Sequence, residues 1–146
     1  KHGGTIDKFM GDGIMATFGA TNPSKTYAAD ALRALDDIVA DLKSWETDPD
    51  LSMLSPLCVN LAIATGPVTF GAVGDEHRLE YTVIGAAVNL SAKLEKFNKV
   101  LKTNAIVDKA SYDTATAQGY SPLTQPGIVN HNIEGTNGKH ELCILY

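Results

Sequence analysis

The stretch TIDKFMGDGIMATFG, residues 5–19, sets Lys8 and Asp12 into what otherwise reads as two hydrophobic strands joined by a glycine turn. Asp12-Gly13 is a hairpin dipeptide whose glycine tolerates positive φ. An aspartate at such a tip can present its carboxylate, and the flanking glycines let a phosphate or a metal ion approach closely. A solvated turn aspartate uses the same dipeptide, so Asp12 by itself leaves both uses open. Lys8 precedes Asp12 by four residues, and a regular pleat points both to one side. Asn89 and Lys93 are also four apart, within a helical pattern, and share a face. Thr82 lies in the strand-like LEYTVIG, where a β-branched residue serves strand propensity as well as hydrogen bonding. A lone strand lysine, a polar residue at a helix start and a solvated helix lysine are all ordinary. These residues gain meaning from the phrases around them.

The elements that must position them follow from periodicity. The two halves of the opening stretch make a tight hairpin. From Ser24 to Trp45, apolar residues recur at three- and four-residue steps, with Asn22-Pro23-Ser24 as a capping signal, which predicts a long amphipathic helix. The segment ETDPDLSMLSP, 46–56, is a loop. LCVNLAIATG (57–66), VTFGAVG (68–74) and LEYTVIG (79–85) are strand candidates. A second helix starts at Ala86, marked by Val88, Leu90, Ala92, Leu94 and Phe97. NAIVD is a short strand, KASYDTATAQG a short helix ended by glycine, and IVNHNI with ELCILY a terminal pair of strands. The order predicts an α+β fold with helices packed on a mainly antiparallel sheet.

Composition narrows the classes. A chain of 146 residues with 44% hydrophobic residues can bury one core without staples, so one domain over residues 1–146 is expected. The net charge of −5, with charges interspersed, disfavours a nucleic-acid partner. Cys58 and Cys143 form no CxxC pair, which suits a reducing, cytoplasmic compartment. No apolar run reaches the roughly 20 residues of a membrane span, so no membrane contact by this segment is expected, although a parent chain could be anchored. His2, His77, His131 and His140 show no metal-ligand spacing, and there is no Walker or dinucleotide fingerprint.

Three stretches carry a family resemblance: KFMGDGIMATFG, RLEYTVIG at 78–85 and VNLSAK at 88–93. In this order they resemble the catalytic domain of the class III nucleotidyl cyclases, the adenylate and guanylate cyclases. Lys8 with Thr82 looks most like the bacterial subgroup that carries threonine at the base-selecting position. The resemblance implies a ferredoxin-like cyclase core, here without an N-terminal strand and helix. It implies that ATP is converted to 3′,5′-cyclic AMP and pyrophosphate with two magnesium or manganese ions per site, one of whose carboxylate ligands is Asp12. It assigns Lys8 and Thr82 to the purine, Asn89 to the ribose and Lys93 to charge on the α-phosphoryl group. Lys8 as donor and the Thr82 hydroxyl satisfy adenine's N1 and exocyclic amine, whereas guanine presents the opposite pattern. The implied assembly is a head-to-tail homodimer, with metal residues of one protomer facing base and ribose residues of the other. The parent chain is expected to carry a regulatory domain.

Departures from the family pattern are also legible. Lys93 stands where an arginine is usual, keeping the charge and losing the bidentate fork. The other metal-binding aspartate belongs to a strand that would precede Lys1, so this segment alone is expected to be inactive. The usual lysine-glycine pair that grips the triphosphate reads Glu134-Gly135 here. The alternatives are a degenerate cyclase domain that binds nucleotide or a partner domain and only regulates, and, disfavoured by Lys8, a guanylate cyclase.

Overall fold

The computed structural model describes residues 1–51, 53, 57–77, 79–136 and 138–146. Within the loop expected at 46–56, positions 52 and 54–56 lie outside the described residues, as does Arg78 of the 78–85 phrase. The chain runs β1 (Thr5–Met10), β2 (Gly13–Thr17), α1 (Tyr27–Thr47), β3 (Leu61–Ile63), β4 (Thr69–Gly74), β5 (Leu79–Ile84), α2 (Ala86–Leu101), β6 (Ala105–Asp108), α3 (Lys109–Ala117), β7 (Gly127–Asn132) and β8 (Lys139–Ile144).

Four strands form one sheet in the order β3-β6-β8-β7, and the pairs β1-β2 and β4-β5 are separate antiparallel ribbons. Among the described residues, only β3 and β6 pair in parallel. The predicted α+β class, mainly antiparallel, is what the chain forms. Strand alternation explains how the sheet is covered. Ala105 and Val107 of β6 pack with Ala28, Leu32, Leu35 and Ala115 of α1 and α3. Ile106 between them packs with Leu94 of α2 and Leu142 of β8. Successive strand residues face opposite sides, so α1 and α3 cover one face and α2 the other. Each fully buried leucine in these layers contributes roughly 1.5–3 kcal/mol of transfer free energy.

The terminal strands lie one and two residues earlier than the sequence reading has them, and three further differences have a local cause. The α1 helix begins at Tyr27, not Ser24, because Ser24 does not cap it: its Oγ accepts from the Thr26 N–H at 3.1 Å and donates to Asp30 at 3.4 Å, a local turn before the helix. The strand expected over 57–66 shortens to Leu61–Ile63, since only these residues find ladder partners, on Ala105–Val107. The connection between β1 and β2 is Gly11-Asp12, not Asp12-Gly13, with Gly11 at φ +65° and Gly13 already paired with Met10. Glycine thus holds the first central position of a two-residue hairpin connection, where positive φ is needed.

The fully buried Asn98 fixes α2 against the sheet. Its Nδ2 donates to the Leu61 carbonyl at 2.9 Å and its Oδ1 accepts from the Thr103 hydroxyl at 3.0 Å. Buried amides are tolerated only when satisfied in this way. The α3 helix is capped by Asp108, whose carboxylate accepts from the Ser111 N–H at 3.1 Å, and it closes at the expected glycine, Gly119, φ +87°.

Candidate functional site

The β1-β2 register is broken by a bulge between Ile6 and Lys8: Ile6 faces Ala16 and Lys8 faces Met15, leaving Asp7 as the extra residue. Neighbours on a regular strand point to opposite faces, and a bulge relaxes that rule. Asp7 and Lys8 both reach β5. The Asp7 side chain is only 3% exposed, and its Oδ2 accepts from the Thr82 hydroxyl at 2.7 Å while its Oδ1 accepts from the Val83 N–H at 3.2 Å. The Lys8 ammonium lies 3.9 Å from the same Oδ2 and 3.3 Å from Glu80 Oε2. The two residues assigned to the purine therefore meet through one carboxylate oxygen. An open hollow lined by Asp7, Lys8, Phe9, Glu80 and Tyr81 lies over this cluster.

Asp12 is exposed in the β1-β2 connection. It is not a strand residue, so strand alternation does not set its side relative to Lys8. Among the described residues no group of three or more His, Cys, Asp or Glu is placed to hold a metal ion.

The α2 helix leaves β5 through Gly85, where a Cβ would lie 2.7 Å from the Pro67 carbonyl oxygen and 3.1 Å from Val68 Cγ1. That close approach requires glycine and sets where α2 starts. Asn89 follows one turn later, exposed, its N–H donating to the Gly85 carbonyl at 3.3 Å. Lys93, one turn further, extends its Nζ to the carbonyl of Gly135 at 2.5 Å. Gly135 sits at φ +70° in the turn after β7, closed by the Thr136 N–H and hydroxyl, both on the Ile133 carbonyl. The helix face carrying Asn89 and Lys93 is thus joined to the turn that the resemblance assigns to the triphosphate.

Sequence reasoning missed Asp7, the buried centre of the Lys8–Thr82 cluster, and Glu80, the second carboxylate at Lys8. A second charged residue directly beside Lys8 within the strand TIDKFM was the available signal for Asp7.

A scan against models of known protein families matches none. Adenylate cyclase 1 of Rhizobium meliloti is 31% identical over 109 residues, covering 75% of this chain and 16% of the relative. An adenylate cyclase of Anabaena cylindrica is 34% identical over 109 residues, covering 74% of this chain and 21% of the relative. The chain therefore spans about a fifth or less of the length of these curated relatives. Among solved structures, the guanylyl cyclase Cya2 superposes with a TM-score of 0.76 at 26% identity, over 99% of this chain and 70% of that one. Sequence relatives and fold agree on the class: the chain belongs to the class III nucleotidyl cyclases.

Proposed function

We propose that residues 1–146 are the greater part of an adenylate cyclase catalytic domain, converting ATP to 3′,5′-cyclic AMP and pyrophosphate. The observation that carries this reading is the convergence of Lys8 and Thr82 on Asp7 Oδ2, which puts an ammonium donor and a hydroxyl side by side. Together they match the N1 acceptor and exocyclic amine of adenine. Asn89 holds the ribose so that its 3′-oxygen faces the α-phosphorus. The 3′-oxygen forms the new bond, pyrophosphate departs with the electrons of the breaking bond, and the hydroxyl proton passes to solvent. Lys93 offsets charge that develops on the α-phosphoryl oxygens.

Asp12 suits magnesium or manganese, being an exposed hard-oxygen donor at a hairpin tip, and magnesium is commonly held by one or two carboxylates together with substrate phosphates. When bound there, two such cations would lower the pKa of the ribose 3′-hydroxyl and neutralise the triphosphate. A head-to-tail homodimer is supported by the apolar side chains that the ribbons leave exposed, among them Phe9 at 70%, Tyr81 at 68% and Leu79 at 61%. Among the described residues no helix is long and apolar enough to cross a membrane.

A second reading, a regulatory domain that binds nucleotide without turnover, is favoured by one observation: the Lys93 ammonium is engaged by the Gly135 carbonyl rather than presented freely. Titrating ATP and GTP with manganese and following cyclic product, using the longest natural chain that contains these residues, separates the readings. Cyclic AMP from ATP supports the cyclase. ATP binding without product supports the regulator, and cyclic GMP as main product overturns the assignment of Lys8 and Thr82.

A further inference from the structure

A threonine hydroxyl can donate one hydrogen bond and accept two, so at the edge of a purine it could pair with an amine or with a carbonyl. Thr82 by itself therefore does not select adenine. Its surroundings here do. The Thr82 Oγ1 lies 2.7 Å from Asp7 Oδ2, and an ionised carboxylate only accepts, so the hydroxyl proton is committed to Asp7. What remains on the Thr82 oxygen is lone pairs.

The space for a base is beside it. In the β4-β5 register Gly71 stands directly opposite Thr82, and residues opposite one another in an antiparallel pair share a face. A Cβ built on Gly71 would meet nothing within 4 Å. Thr82 itself is 7% exposed, but the position opposite it is open, and the missing side chain at Gly71 leaves room there for a flat ring to approach the edge of β5.

Resting on the adenylate cyclase reading, we infer that Asp7 is the positioning residue for purine selection: by taking the Thr82 proton it makes Thr82 an acceptor only, so that an exocyclic amine at purine position 6 is bound and a 6-keto group is refused. The Val83 N–H makes the device directional. It binds Asp7 Oδ1 at 3.2 Å and would hold the carbonyl oxygen of an asparagine in the same place, because the reverse orientation sets an amide donor against the N–H. In Asp7→Asn the side-chain NH₂ would then donate to Thr82, and the threonine proton would turn toward the ligand. Thr82 changes from acceptor to donor without moving.

The test uses the longest natural chain with manganese and three nucleotides in their 3′-deoxy forms, which bind without cyclising. These are the triphosphates of adenosine, of purine riboside, which has hydrogen at position 6, and of inosine, which has the 6-keto group. The parent should bind the adenosine form roughly tenfold or more tighter than either of the others. Asp7→Asn should close the gap between adenosine and purine forms to about twofold and raise the inosine form relative to adenosine by roughly tenfold or more. Thr82→Val should erase the preference for the amine on its own, and adding Asp7→Asn to it should change the ratios no further. That arm also stands alone if Asp7→Asn does not fold. A folded Asp7→Asn that weakens all three nucleotides equally reduces Asp7 to a structural role and overturns the inference, as does Thr82→Val with parental ratios. A parent that binds none of the three, or prefers the inosine form, overturns the adenylate cyclase reading itself.

Discussion

The ammonium of Lys93 donates to the main-chain carbonyl of Gly135, tying the exposed face of α2 to the turn between β7 and β8. Gly135 is at φ +70°, and a Cβ there would lie 2.8 Å from Lys93 Nζ. Gly135→Ala therefore meets two obstacles: a left-handed backbone, costing about 1–2 kcal/mol, and the tip of the lysine, which can swing aside. A Tm lower by roughly 2–8 °C is expected in thermal melts, with the lysine displaced from its carbonyl. An unchanged Tm would show that this turn relaxes without strain.

Asp12, exposed in the β1-β2 connection, makes little difference to folding but much to the proposed chemistry. Asp12→Asn should leave the Tm within about 2 °C, since substitutions away from packed or bonded features are usually near neutral. Cyclic AMP formation at saturating manganese should fall roughly 10²-fold or more. Parental rates in this variant would remove Asp12 from metal binding.

Exchange of the proposed purine pair, Lys8→Glu with Thr82→Cys, should move preference from ATP toward GTP if the cyclase reading holds, because the hydrogen-bonding sense of the pocket is reversed. The structure adds a cost. Glutamate at position 8 would face both Asp7 and Glu80, and like charges at that separation repel. Adding Asp7→Asn should therefore recover part of the lost stability and sharpen the switch, read as the ratio of kcat/KM values for the two nucleotides.

How far the sequence revealed this arrangement depends on what sets each contact. The alternation of Ala105, Ile106 and Val107 and the helical spacing from Tyr27 onward are local patterns, and they led directly to the covered sheet. The phrases around Lys8, Thr82, Asn89 and Lys93 placed those residues on the elements they occupy. Asp7 escaped because a regular pleat puts it on the side opposite Lys8, and only the bulge after Ile6 turns both toward β5. Nothing in the composition of TIDKFM marks a bulge. The Lys93–Gly135 contact spans 42 positions and depends on where Gly85 lets α2 start. The early boundary at Ser24 arose because serine, threonine and aspartate bond locally in turns as well as in caps.

At the opposite face, the hydroxyls of Tyr120 and Tyr146 each donate to Asp36, at 2.9 Å. Burial, reinforced by the Asp36 carboxylate, raises both phenols, Tyr146 to about 12. A phenol whose folded pKa exceeds its unfolded value of about 10 keeps its proton when the unfolded chain has lost it. The stabilisation is therefore complete below pH 10 and lost as pH rises toward 12. Denaturant melts should show stability falling over that window, and Tyr146→Phe should flatten the fall. An equal decline in the variant would show that other groups govern it.

Lys93 separates enzyme from regulator most sharply. In the structure its ammonium already has a partner at Gly135, so a lysine that also serves the α-phosphoryl group must share or exchange that bond. Guanidinium has five donors in a planar fork and can hold the carbonyl while contacting phosphoryl oxygen. If the proposed cyclase reading holds, Lys93→Arg should raise kcat. Lys93→Ala should lower kcat by roughly 10²-fold or more with little change in ATP affinity, the pattern of a stabiliser that acts mainly in the transition state. The Gly135 bond is exposed, so its loss should contribute at most about 1 kcal/mol to stability, and a thermal melt distinguishes that effect from the catalytic one. Should the alanine and arginine variants both match the parent in an active dimer, Lys93 serves only to fasten the β7-β8 turn to α2.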